Sequence, residues 1–123
     1  MQRFLARNGS TKTSVLVVWE PILATDWMPP GESTLARIPD KRARQFWDPN
    51  HVVAISLNEF AKQKPNQPHP ECCVQKGFNW DEVILYAPYS QWSEVPVATF
   101  WNGPIVKAVP SLEKSFLATW GPG

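Results

Sequence analysis

Ser14-Val15-Leu16-Val17-Val18-Trp19-Glu20-Pro21 is the stretch on which the fold turns. Its β-branched and aromatic side chains run without polar alternation, the pattern of a strand buried on both faces, and so predict a sheet covered by helices. Downstream, Trp27-Met28-Pro29-Pro30-Gly31 is a breaker cluster, after which Ser33 or Thr34 can cap a helix. Leu35, Ile38, Ala43, Phe46 and Trp47 fall near one face of a helix over 33–47. Pro39 is expected to split that helix into a first turn to about Ile38 and a second piece, because an internal proline removes a hydrogen bond and clashes with the preceding turn. Asp48-Pro49-Asn50 stops it, and His51-Val52-Val53-Ala54-Ile55-Ser56 predicts a second buried strand. Strand, helix and strand in that order make a βαβ unit with parallel strands and a right-handed crossover.

Outward from this unit, residues 58–64 predict a short helix, and the proline-rich stretch from Lys64 to Gly77 an irregular loop. Glu82 to Ala87 predicts a third strand, ended by Pro88. Val97–Trp101 and Ile105–Val109 flank Asn102-Gly103-Pro104, and Asn-Gly between apolar runs predicts a β-hairpin. Pro110 and Ser111 then open a terminal helix with Leu112, Phe116, Leu117 and Trp120 inward.

The 123 residues suit one domain with one core. No apolar run is long enough to cross a bilayer, and the first residues, Met1 to Gly9, lack the apolar stretch of a signal peptide. A soluble chain with residues 1–13 as an N-terminal arm and 14–120 as a single domain is expected. With a formal net charge of +1 and interspersed signs, no field suits a phosphate backbone, so nucleic acid is not an expected partner. Lys41-Arg42-Ala43-Arg44 is the sole basic cluster, read as the solvated face of a helix.

The βαβ unit, a hairpin and a last helix are the core layout of the thioredoxin fold. Val15-Leu16-Val17-Val18-Trp19 resembles that family's first core strand, and Val95-Pro96-Val97-Ala98-Thr99-Phe100-Trp101-Asn102-Gly103 its proline-led strand and turn. Trp19-Glu20-Pro21-Ile22-Leu23, Thr25-Asp26-Trp27, Gln45-Phe46-Trp47-Asp48 and Trp80-Asp81 are similar to a group of bacterial thioredoxin-like proteins with no assigned activity. The resemblance spans about residues 14 to 110. It implies a central mixed sheet flanked by helices and places Pro96 at the family's cis-proline position. It also exposes a departure, because Leu23-Ala24-Thr25-Asp26 stands where the family's cysteines would be. Disulfide exchange there needs a thiolate at a helix N-terminus, and none of these residues supplies one. The resemblance therefore implies a binding or interaction module, with Asp26, Trp27 and Pro96 as candidate ligand or protein-docking residues, and leans away from an enzyme.

The chain's two cysteines are adjacent, in His69-Pro70-Glu71-Cys72-Cys73. Neighbouring Cα atoms sit about 3.8 Å apart across a trans peptide, short of the usual disulfide span of about 4.4–6.8 Å, so a bond between them would be easily reduced and switch-like. Three readings of the pair stand: a thiol redox site, a soft-metal site with His69 or Glu71 as added ligands, and an incidental reduced pair. The spaced C-x-x-C geometry that lets two thiolates share an ion is missing. No nucleophile elbow, phosphate loop or helical histidine pair is present. His51 is read as a partly exposed residue at a strand start, and Glu20, Asp48 and Asp81 as capping or loop carboxylates.

Overall fold

The computed structural model describes residues 1–21, 28–59, 63–75, 78–92 and 95–120. It is a small mixed α/β protein with short sheets, and it divides into two compact units, Met1–Val53 and Ala54–Gly123.

The first unit begins with helix α1, Gln2–Arg7, whose Phe4 and Leu5 are buried, so the expected arm carries an ordered helix. Strand β1, Val15–Trp19, pairs in parallel with β2, Ala43–Trp47, in the register Val15↔Ala43 to Trp19↔Trp47. Helix α2, Glu32–Leu35, lies in the connection. The strand–helix–strand order is therefore present, but its second strand falls where a helix over 33–47 was expected. Residues 43–47 alternate between half-buried and exposed, a period of two that overrides the helical spacing of Leu35, Ile38 and Phe46. β1 alternates likewise, and Leu16 stays 64 % exposed. It is a strand half-buried on one face and exposed on the other.

Arg42 is the tie of this unit rather than a solvated helix residue. Its Nη1 donates to the carbonyls of Asn8 and Thr11 at 2.9 and 3.0 Å, and its Nη2 to that of Leu5 at 2.8 Å. Nε and Nη2 also grip both oxygens of Asp40, at 2.9 and 2.7 Å. The guanidinium fork thus adds donors to carbonyls at and just after the end of α1, where backbone bonding is incomplete. Gln45 works in the same way: its Oε1 accepts Trp19 Nε1 at 2.8 Å, and its Nε2 donates to the carbonyl of Leu35 at 2.9 Å.

Residues 51–56, expected as a strand, belong to helix α3, Val52–Glu59. The carboxylate of Asp48 accepts the amides of Val52 and Val53, both at 2.9 Å. These are amides that a helix start leaves orphaned, and this cap outweighs the strand preference of two valines and an isoleucine, which is a difference of tenths of a kcal/mol per residue.

In the second unit, β3, Val74–Gln75, and β4, Phe78–Asn79, form a short antiparallel ladder at the end of the expected loop. β5, Val83–Leu85, pairs antiparallel with β6, Phe100–Asn102. The expected C-terminal β-hairpin is not formed. Helix α4, Ile105–Trp120, starts immediately after Gly103-Pro104 and takes up the segment assigned to its second strand. The Pro104 carbonyl accepts the amides of Lys107 and Ala108, both at 3.0 Å, so proline opens a helix here instead of closing a turn. Pro110, expected near the helix start, lies inside it. Ala108, Leu112 and Phe116, four residues apart, are its buried stripe. Around the β5–β6 ladder, Ala98 and Trp101 form a core against Leu57, Ile84, Tyr86 and Val95. Burial there pushes the Tyr86 phenol up to about 12. Among the described residues the strands make three two-stranded ladders, not one central mixed sheet. No helix among them is long and apolar enough to cross a membrane.

Candidate functional site

Two groups of chemistry-bearing side chains emerge, one in each unit. In the first, Glu20 follows β1 directly and Asp48 follows β2, so parallel pairing sets both at the carboxyl ends of neighbouring strands. His51, at φ 55°, presents Nδ1 2.9 Å from Glu20 Oε2. Burial raises the Glu20 carboxyl above its ordinary 4.5, against the lowering effect of the bond to His51, with the Asp48 charge adding to the rise. His51 is therefore no strand-start residue but half of a carboxylate–imidazole pair at a turn. Both Asp48 oxygens are taken by the start of α3. The arrangement holds backbone together before it does any chemistry. Asp26 and Trp27, the expected docking residues, lie outside the described residues.

In the second unit Cys72 and Cys73 are bonded to each other, with Cα atoms 3.2 Å apart across a cis peptide. Cys72 is partly exposed and Cys73 buried. The Cys73 carbonyl accepts Trp80 N at 3.0 Å, which extends the β3–β4 ladder to the pair. On the other side lies Gly103. A Cβ there would sit 2.4 Å from the Asp81 carbonyl oxygen and 3.3 Å from Cys73 Sγ, so only glycine permits the approach. Asn102 Oδ1 accepts the amides of Glu71 and Gly103, both at 2.9 Å. Asp81 Oδ1 accepts Ile105 N at 3.2 Å, capping the first turn of α4.

A cleft of about 420 Å³ opens at this point, lined by Glu71, Cys72, Asn102, Gly103, Pro104, Lys107, Ala108 and Ser111. That volume is within the usual range of small-molecule sites. Of the residues singled out in the sequence, the structure brings Cys72 and Glu71 to the cleft. It leaves His69 exposed and off its wall. Among the described residues no three His, Cys, Asp or Glu side chains gather as a metal site would require, and His69 and Glu71 do not join the bonded cysteine pair in such a group. Pro96 is held by Gln67, whose Nε2 donates to the Pro96 carbonyl at 3.3 Å while its Oε1 accepts Ala98 N at 2.6 Å. The cis proline is Pro104 and not Pro96.

The sequence pattern does not single out Asn102, Gly103 and Lys107, because Asn-Gly-Pro between apolar runs reads as a hairpin turn. The signal that could have found them is the proline itself, which suits a helix start and cannot donate to a strand ladder. Compared with known proteins, the chain matches no family model, no curated protein and no solved structure.

Proposed function

We propose that the protein works through a reversible dithiol–disulfide couple at Cys72 and Cys73, exchanging with small thiols that enter the cleft. The observation that carries this is the position of the pair: one partly exposed sulfur on the wall of a cleft of small-molecule size, the other buried behind it. An incoming thiolate attacks Cys72 Sγ, the sulfur–sulfur bond breaks, and the electron pair leaves on Cys73, which takes a proton. A second thiolate then attacks the outer sulfur of the mixed disulfide and releases Cys72. Two small thiols are oxidised to their disulfide and the pair is reduced to a dithiol. Lys107 lines the cleft into which the Cys72 thiolate is released, and its positive charge favours an anion there against the negative charge of Glu71 on the same wall.

Alkylation followed by mass spectrometry tests this proposal. Untreated protein should take up no alkyl group and weigh two hydrogens less than the protein after dithiothreitol, which should take up two. Two freely alkylated thiols in untreated protein would overturn the proposal.

A second reading keeps the thioredoxin-like fold, as a binding module without the usual dithiol site, with Asp26, Trp27 and Pro96 as docking residues. It is favoured by element order: a parallel pair joined through a helix-containing connection, then α3 and the short β3–β4 ladder, then the antiparallel β5–β6 pair and a long last helix. On this reading the protein shows no dithiol-dependent reduction of insulin, and robust turnover by the wild type that is lost in Cys72→Ser/Cys73→Ser would sink it.

A further inference from the structure

We infer that Asn102 is a positioning residue for the Cys72–Cys73 couple, one whose side-chain oxygen biases the pair toward the bonded form. The inference rests on the redox proposal above. Asn102 ends β6, and its backbone is registered against Val83, so its carboxamide projects from a fixed ladder. One oxygen, Oδ1, holds two amides at 2.9 Å: that of Glu71, the residue entering the disulfide, and that of Gly103, the residue packed on Cys73 Sγ. The side chain therefore clips together the two segments that enclose the pair.

Reduction sets a mechanical demand on this clip. When the bond breaks and each sulfur takes a hydrogen, the two sulfurs must separate to van der Waals contact, so at least one cysteine moves. Cys73 is the poorer candidate, since it is 7 % exposed, backed by Gly103, and tied through its carbonyl to Trp80 N at 3.0 Å. Movement then falls on partly exposed Cys72 and on Glu71 before it, whose amide is the one Asn102 holds. A hydrogen bond present in the bonded form and lengthened or lost in the reduced form shifts the equilibrium toward the bonded form by its net worth and no more.

The test is the dithiol–disulfide equilibrium of the full chain in mixtures of reduced and oxidised glutathione, read by alkylation and mass spectrometry, for the wild type, Asn102→Ala and Asn102→Asp. Asn102→Ala is expected to raise the ratio of reduced to bonded protein about three- to tenfold at a given glutathione ratio. Asn102→Asp keeps an oxygen for both amides, now as a charged and stronger acceptor, and is expected to favour the bonded form at least as much as the wild type does. Melting temperatures of both redox forms supply the control. Asn102→Ala should lower that of the bonded form more than that of the reduced form. Equal lowering with an unchanged equilibrium, or a shift toward the bonded form, would overturn the inference and leave the redox proposal standing. Wild-type protein that forms no bond at any glutathione ratio would overturn both. Should Asn102→Ala fail to fold, Asn102→Ser, whose shorter hydroxyl cannot reach both amides, takes its place with the same expected shift.

Discussion

The two units use their polar side chains in opposite ways. In the first, Arg42, Gln45 and Asp48 are spent on backbone: the guanidinium closes three carbonyls, the carboxamide joins Trp19 to the end of α2, and the carboxylate opens α3. Even the Glu20–His51 pair, which by composition looks like an acid–base dyad, bridges the end of β1 to the turn before α3. In the second unit Gln67 does similar work between the proline-rich loop and Pro96–Ala98. There, however, Cys72, Glu71, Lys107 and Ser111 border an open cleft. Residue types do not distinguish the two clusters. What distinguishes them is whether backbone groups or a cleft meet the functional atoms.

The largest effect that would sharpen this contrast is expected from Arg42→Ala. It removes the guanidinium donors to the carbonyls of Leu5, Asn8 and Thr11, of which the first two keep one backbone bond each at 3.2 and 3.3 Å, and hydrogen bonds to a charged group are the costly ones to lose, so unfolding free energy should fall by about 3 kcal/mol. Urea denaturation followed by tryptophan fluorescence measures it. The alkylation rate of the reduced Cys72–Cys73 pair in native buffer should stay at the wild-type value, and a changed rate would break the division of labour between the units. Gly103→Ala should come next. Its Cβ would meet the Asp81 carbonyl at 2.4 Å, so backbone must shift, at a cost of about 2 kcal/mol. This variant, unlike Arg42→Ala, should also change how fast small thiols reduce the pair, because the displaced backbone lies on Cys73. Asp48→Ala removes the cap of α3 and should cost about 1 kcal/mol, with Asp48→Asn recovering part of the loss in the same measurement.

Legibility in the sequence followed a similar division. β1 and β5 could be read because each is a short apolar run bounded by breakers, and the last helix because Leu112 and Phe116 share a face. The helix–strand exchanges were not legible, for a common reason. Ala43–Trp47 is a strand whose apolar residues also fit a helical face. Val52–Ser56 and Ile105–Val109 are helices built from strand-preferring residues, and each is started by a neighbour: Asp48 for α3, Pro104 for α4. A propensity difference of tenths of a kcal/mol per residue yields to one good cap. The cysteine pair was visible as chemistry, but its cleft was not, because Lys107 and Ser111 reach it only through a helix start that the Asn-Gly signal concealed. Arg42 was hidden for the opposite reason: a basic cluster is ordinarily solvated, and only the fold brings the carbonyls of α1 within its reach.

The smallest effect concerns two carboxylates of the first unit that are shifted in opposite directions. Arg42 pulls the Asp40 carboxyl down to about 2, whereas burial pushes Glu20 above 4.5. By linkage, the Asp40 contribution is present above its unfolded value of 3.8 and is lost as pH falls toward about 2. For Glu20 the sign reverses. The folded state holds the proton more tightly than the unfolded chain, so its contribution is complete below 4.5 and is lost as pH rises through the folded value. Asp40→Asn should therefore flatten the acid limb of the stability curve and leave the limb above 4.5 unchanged. Glu20→Gln, which keeps an oxygen near His51, should remove the decline on the neutral side, so that the wild type loses ground to it as pH rises from the acid side through 4.5 toward neutral. Denaturant midpoints of the three proteins across that range decide the matter. A wild type that gains on Glu20→Gln as pH rises would mean that the bond to His51, and not burial, governs this carboxylate, and the clip between β1 and the turn before α3 would then strengthen toward neutral pH instead of weakening.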